Sequence, residues 1–227
     1  MKKLAWDSEF FELEIFQAES IELEHVSMPK HADLIYVFGN AKSCISGFSK
    51  SYEEEKVVFS KTLQAELLSS DEAIVSIKNK ELDLNPILEL AYQSGQFSRF
   101  NLDPKFRRET FFKLYNAWVY NSVYSNFATD VLVYQENEKV FGFVSYTIKD
   151  GYGEIGLIAV SQNYRSKGIG RKLLSYVENQ LLKNNIYILR IPTQSANENA
   201  CFFYEKVGYK IYTKTNISHF WNNEYTV

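Results

Sequence analysis

Residues 164–174 read YRSKGIGRKLL, with four cations (Arg165, Lys167, Arg171, Lys172) and two glycines (Gly168, Gly170) where an apolar helix begins. The N-terminus of a helix is its positive end, so each cation placed there costs on the order of a few tenths of a kcal/mol. Glycine lets backbone approach a ligand closely, and the first turn of a helix leaves amide hydrogens without internal partners. A bound polyanion accounts for the charges and the glycines together; a solvated basic face accounts for the charges alone. Two other phosphate-binding patterns are excluded, because the stretch lacks the third glycine of a dinucleotide fingerprint and the Gly-Lys-Ser/Thr of a P-loop.

The segments on either side supply a strand–turn–helix setting. IGRKLLSYVENQLLKNN carries Ile169, Leu173, Leu174, Val177, Leu181 and Leu182 on one helical face. Before it, TDVLVYQENEKVFGFVSYTIKDGYGEIGLIAV predicts three strands broken at ENEK and KDGYG, an antiparallel meander. After it, IYILRIP predicts a buried strand terminated by Pro192, and Ser195 with Glu198 forms a capping box for a helix that stops at Gly208. YKIYTKTNI predicts a closing strand. Upstream, residues 107–125 place Phe111, Leu114, Ala117, Trp118 and Val119 at helical spacing, for one or two helices. The pattern predicts an α/β fold built on a mixed sheet.

Composition shifts near residue 80. DLIYVFG (33–39), KVVFSKTL (56–63) and AIVSIKN (73–79) predict strands separated by polar segments, among them the acidic SYEEEK. Pro86 suits the first position of a helix that runs to Gly95. These signals predict a small N-terminal α/β domain over 1–95 and a second domain over 96–227.

Charge and composition narrow the function classes. Lys and Arg number 25 against 28 Asp and Glu, a net charge of -3, so no bulk basic field points to nucleic acid or a membrane surface. Cys44 and Cys201 are too few for a disulfide scaffold, and His25, His31 and His219 have no ligand spacing, so no metal is expected. Both thiols read as reduced and structural. Acidic residues interrupt the N-terminal apolar run, which excludes a signal peptide, and no stretch approaches the ~18 apolar residues of a membrane span. The expectation is a soluble, cytoplasmic protein.

A second constellation is SANENACFFYEKVGY, residues 195–209. Asn197 and Tyr204 are seven residues apart and so two turns along one helical face, with Ala200, Phe203 and Val207 on an adjacent core-facing stripe. A tyrosine beside an anion cradle can protonate a departing thiolate; the plain alternative is a core ring. Glu154 falls by strand alternation on the face of Gly156, Ile158 and Val160, a candidate base or a solvated rim carboxylate. Arg99, in SRF, suits a substrate phosphate or a salt bridge at the domain junction.

The order EIGLIAV, then Arg165-x-x-Gly168-x-Gly170, then Asn197-x-x-Ala200-x-x-Phe203-Tyr204-x-x-x-Gly208-Tyr209 resembles the acetyl-CoA-dependent GNAT N-acetyltransferases over roughly residues 97–217. The resemblance implies that Arg165, Ser166, Lys167, Gly168, Ile169, Gly170 and Arg171 hold the CoA pyrophosphate. It implies that the splayed backbone of Ile158, Ala159 and Val160, with Asn197, holds the pantetheine arm, and that Tyr204 protonates the leaving thiolate. LAWDSEFFELEIFQ, FSRFNLDPKF and LYNAWV are further similar to the TDP-fucosamine acetyltransferases and related nucleotide-sugar N-acyltransferases, in which a small N-terminal domain precedes the GNAT domain. Glu12 stands where their WDSxFFG pattern has glycine. The implied reaction moves an acetyl or short acyl group from its CoA thioester to the amine of a TDP-linked amino sugar, with Arg99 and Glu154 on the acceptor. A peptide acceptor and a non-catalytic GNAT-like binder are the rival readings, and a homodimer is left open.

Overall fold

The computed structural model describes residues 1–20, 29, 31–40, 45–64 and 71–225. The first part of the chain forms β1 (Lys2–Lys3), α1 (Ala5–Phe11), β2 (Ile15–Glu19), β3 (Leu34–Phe38), β4 (Phe48–Thr62), β5 (Ile74–Ser76) and α2 (Asn85–Ser94). The rest forms α3 (Arg99–Leu102), α4 (Arg108–Tyr124), β6 (Asp130–Glu136), β7 (Lys139–Lys149), β8 (Tyr152–Val160), α5 (Ile169–Lys183), β9 (Ile188–Gln194), α6 (Glu198–Lys206) and β10 (Lys210–Asn222).

The ten strands of the described residues join one mixed sheet in the order β1-β2-β3-β10-β4-β9-β8-β7-β6-β5, with β2–β3 and β8–β9 parallel and the remaining pairs antiparallel. The strands of residues 1–95 enter it at three places: β1–β3 at one end, β4 in the centre and β5 at the other end. The boundary expected at residue 95 lies at the end of α2, and sheet hydrogen bonds cross it at β10–β3, β10–β4, β4–β9 and β5–β6.

One face of the sheet packs on α1–α4, through residues such as Phe11, Ile87, Leu114 and Val123. The other packs on α5 and α6 through Ile169, Leu173, Val177, Leu181 and Tyr204. The apolar stripe read in the sequence of α5 is therefore its buried face. Residues 107–125 form a single helix, α4, which buries Phe111, Leu114, Tyr115, Val119 and Val123 and leaves Trp118 half-exposed.

Three local expectations change. SYEEEK is not a connecting segment but the middle of β4, where Lys50 and Lys214 neutralise Glu53 and Glu55. Pro192 does not end β9, because it sits opposite Val58 of β4, beyond the last residue of β9 that pairs with β8. The last helix starts after Asn197, whose side chain accepts from the Ala200 amide, so Asn197 and not Ser195 is its cap. Glu12 takes φ 57 at the C-terminal cap of α1, the left-handed region where glycine is the unstrained residue. Cys44 and His25 lie outside the described residues; Cys201 is a free, half-buried thiol.

A buried polar knot joins β10 and β4 to the loop after α3. Asp103 accepts from the Nδ1–H of His219 at 2.6 Å and the Nε1–H of Trp221 at 2.9 Å on one oxygen. The other oxygen takes the Ser51 hydroxyl at 2.8 Å and the Lys105 amide at 3.1 Å. Burial pushes the Asp103 carboxyl up, but the hydrogen bonds from His219 and Trp221 outweigh it and leave it below its ordinary value. Burial holds His219 down at about 4, so the ring is neutral near pH 7 and donates through Nδ1.

Two predictions follow from these positions. Between pH 6.5 and about 4 the unfolded chain binds a proton at His219 that the native state does not, so stability falls as pH falls through that window. A slope of ~1.4 kcal/mol per pH unit makes the loss about 3 kcal/mol, with Asp103 adding to it below the ordinary carboxylate range. Urea titrations at stepped pH should show this acid limb, and His219→Gln, which keeps an N–H donor, should flatten it. Glu12→Gly should raise stability by about 1 kcal/mol through relief of the left-handed strain, read as a higher urea midpoint at unchanged m-value.

Candidate active site

The site begins where two strands part. β8 pairs with β7 along its whole length, up to Val160 opposite Gly142. With β9 it pairs only at Gly153–Leu189 and Glu154–Arg190. The ladder with β7 skips Gly156, a β-bulge between Tyr146–Ile155 and Ser145–Leu157. The Ser145 hydroxyl accepts from the Leu157 amide at 3.0 Å, and a β-carbon on Gly156 would stand 2.9 Å from that hydroxyl. From residue 155 onward the edge of β8 that faces β9 has no strand partner, and its backbone groups, apart from the Val160 carbonyl that accepts from Arg165 Nε, are available to a ligand.

The bulge also reverses the facing of β8. Gly153 and Ile155 lie toward α5, but beyond the bulge Ile158 and Val160 take that side, while Leu157 and Ala159 face the core under α2 and α4. Glu154 is therefore not on the face of Ile158 and Val160, because strand alternation fails at Gly156. Its carboxylate is held by the Lys149 ammonium.

A cavity of about 270 Å³ fills the gap between the strands. Its wall brings together Ile158 of β8, Thr193 of β9, Asn197, Tyr204 of α6, Arg99 of α3 and Glu54 of β4. Tyr204 packs its ring against Phe59 and Phe203 and is 4% exposed. Its hydroxyl makes no hydrogen bond to a described residue, and burial raises its pKa, so the phenol keeps its proton at neutral pH. The Asn197 oxygen serves as the helix cap, at 3.4 Å from the Ala200 amide. The Arg99 guanidinium lies 4.4 Å from the Tyr36 ring and 4.9 Å from the Phe100 ring. It has no ion-pair partner among the described residues, so the salt bridge weighed at this position is not formed with any of them.

The glycine-rich turn leads into α5. Gly168 is the N-cap in a left-handed conformation, φ 82, with open space where a side chain would go. No side chain caps the helix, and its first internal hydrogen bond is donated by Lys172, so the amides of Ile169, Gly170 and Arg171 point outward with no partner among the described residues. Gly170 has a different reason to be glycine: a β-carbon there would approach the Phe203 ring at 3.2 Å. Three of the four cations make different contacts. Lys172 pairs with Asp71 at 3.0 Å, Arg165 donates from Nε to the Val160 carbonyl at 3.2 Å, and Lys167 stands 4.3 Å from the Tyr164 ring centre. Ser166, at φ 63, shapes the same turn. Unpaired amides at the start of a fifteen-residue helix, flanked by Arg165 and Lys167, fit a phosphate group.

A family model described as acetyltransferase (GNAT) family matches residues 92–209. This chain belongs to the GNAT acetyltransferases. The match takes in α3, α4, β6–β9, α5 and α6, and so the parted strands, the glycine-rich turn and Tyr204. The spore coat polysaccharide biosynthesis protein SpsD of Bacillus subtilis is 26% identical over 139 residues, 61% of this chain and 48% of SpsD. Streptothricin acetyltransferase A of the same organism is 36% identical over 75 residues, 33% of this GNAT chain and 43% of that protein. The chain thus spans about half or less of the length of these two relatives. The crystal structure of a GNAT-family protein from Novosphingobium aromaticivorans DSM 12444 shares the fold at a TM-score of 0.56 and 11% identity, over 90% of this chain and 80% of that one.

Strand and helix patterns in the sequence located Tyr204, Asn197 and Arg99, which the fold brings to one cavity. They missed Glu54 and Lys56, both on the cavity wall, because an acidic run does not read as a central strand. The available signal was alternation within EEEK, which puts Glu54 and Lys56 on one face of β4.

Ser145 is buried and holds the bulge, so Ser145→Ala orphans the Leu157 amide. The expected cost is about 1–3 kcal/mol, read as a lower urea midpoint. Ser122→Ala, a buried serine remote from the bulge, is the comparison variant.

Proposed function

We propose that this chain transfers an acetyl group from acetyl-CoA to the amino group of a TDP-linked amino sugar, bound where the segment 1–95 meets the GNAT domain 96–227. The observation that carries the reading is the shared cavity, on whose wall stand an open strand edge, a phenol with no hydrogen bond and a guanidinium with no ion pair among the described residues. Acetyl-CoA supplies an acetyl group activated as a thioester. The amides of Ile169, Gly170 and Arg171, with Arg165 and Lys167, hold its pyrophosphate. The open edge of β8 from Ile158 to Val160 binds the pantetheine arm and offers an amide to the thioester oxygen. The Asn197 side-chain NH₂ group, left free by the cap, adds a donor.

Tyr204 gives its proton to the sulfur as the C–S bond breaks. Burial that raises the phenol pKa raises that of a thiol in the same cavity, so the transfer stays close to balanced. On the acceptor side, Arg99 binds the diphosphate. The cavity, about 270 Å³, is just below the ~300–1,000 Å³ of ordinary ligand pockets, so it takes the sugar ring while the nucleotide extends past Arg99. SpsD, named for spore coat polysaccharide biosynthesis, supports a sugar acceptor.

A panel of TDP-amino sugars and peptide amines, assayed by release of free thiol, tests the acceptor. Arg99→Ala should raise KM for the TDP-linked acceptor about 10-fold or more while acetyl-CoA kinetics hold. Robust acetylation of peptides with no turnover of any TDP-amino sugar would overturn the reading. Tyr204→Phe keeps the ring and removes the hydroxyl; turnover should fall by ~10²–10⁴ with acetyl-CoA affinity unchanged in calorimetry.

A further inference from the structure

Acyl transfer to an alkylamine needs a group that takes a proton from nitrogen, because the amine reaches the enzyme as an ammonium at neutral pH. Two carboxylates lie near the parted strands. Glu154 is tied to Lys149 and lies on the other side of the Gly156 bulge from the face first assigned to it. Glu54 is different. It is the middle residue of three consecutive acids in β4, and alternation separates it from both neighbours. Glu53 is bonded by Lys50 and Ser218, and Glu55 by Lys214. Glu54 turns to the opposite face, lines the cavity with Tyr204 and β8, and forms no ion pair among the described residues. Its hydrogen bonding to the described residues is one long contact, from the Tyr52 hydroxyl at 3.5 Å, so its basic oxygens remain available.

Resting on the acetyltransferase reading above, we propose that Glu54 is the general base that deprotonates the acceptor amine in the cavity. Its carboxylate takes one proton from the ammonium and releases it to solvent through the cavity mouth. The neutral nitrogen then attacks the thioester carbonyl carbon, the N–C bond forms and the C–S bond breaks. The sulfur takes the Tyr204 proton, and the second proton leaving nitrogen restores the phenol. One ammonium and one thioester thus give one amide, one thiol and one proton.

The surroundings suit the task. Burial raises the Glu54 carboxyl above its ordinary value, opposed by Arg99, the Tyr52 hydroxyl and Lys56. The titratable groups that face it are Tyr52 and Lys56 on its own strand, Arg99 from α3, Tyr115 from α4 and Tyr204 from α6. Burial depresses the Lys56 ammonium and raises Tyr115 to about 12, and Arg99 and Lys56 are the cations that oppose the upward shift of the carboxyl. The base therefore lies on a strand contributed by the N-terminal segment, outside the residues that match the GNAT family model.

The test compares Glu54→Gln with wild type on alkylamine acceptors and on hydroxylamine, which is already neutral at the assay pH. With alkylamines, Glu54→Gln should lose ~10²–10⁴ in kcat/KM, and the acid limb of the pH profile should disappear, the residual rate climbing with the free-amine fraction. With hydroxylamine it should stay within a few-fold of wild type after subtraction of the uncatalysed rate. Acetyl-CoA affinity should be unchanged, and Glu54→Asp should recover part of the alkylamine rate. Equal loss with both nucleophiles, or an alkylamine rate within two-fold of wild type, overturns the assignment. If peptide amines are acetylated and TDP-amino sugars are not, the acceptor reading fails while the comparison is made on the peptide amine. Absence of turnover with every amine overturns both.

Discussion

The parting of β8 from β9 after Glu154 and Arg190 is the constraint on which the site depends. Two parallel strands that stayed paired would satisfy each other's backbone and leave nothing for a ligand. Here one extra residue in β8, Gly156, kinks the strand away while β7 continues to hold its other edge through Val160. The Ser145 hydroxyl takes over the Leu157 amide that the irregular ladder would leave unpaired. The gap, the open edge and the changed facing of the residues after 156 are consequences of that one irregularity.

The gap is useful because other elements close around it. β9 contributes Pro192, which has no N–H to offer a β8 partner and stands in the part of the strand that lacks one. α6 begins at Asn197, just past the end of β9, and its cap aims Tyr204 into the cavity two turns later. α3 is a single turn, fixed at its start by Ser98 and beyond its end by the Asp103 knot with His219 and Trp221. That knot ties the Arg99 turn to β10, so the guanidinium is placed by the sheet and not by a free loop.

β4 gives the sheet its continuity. It lies between β9 and β10 and carries both apolar residues for the core and the EEEK run. Such a run is tolerated in a central strand because alternate carboxylates reach lysines on the outer face. The remaining carboxylate and Lys56 are turned into the cavity, where both are partly desolvated. A segment outside the family match thus supplies charged residues to the wall of the same cavity.

Local physics made much of this molecule legible in the sequence. The 3.6-residue stripe of α5, the two-residue alternation of β6–β8 and the glycine at the start of α5 each depend on near neighbours, and the elements formed as expected. Residue type and spacing single out Tyr204 and Arg99, and both line the cavity. Contacts between distant residues were not legible. Whether SYEEEK is a loop or a strand depends on Lys214, which is 159 residues from Glu55. The side of the strand that Glu154 occupies relative to Ile158 and Val160 depends on a bulge held by the Ser145 hydroxyl of the neighbouring strand. Gly170 reads as a ligand-facing glycine until Phe203 arrives from α6. The sequence alone determined which elements form and which side chains could do chemistry; tertiary structure decided which of them share a cavity, because pairing and bulges are set by partners far along the chain.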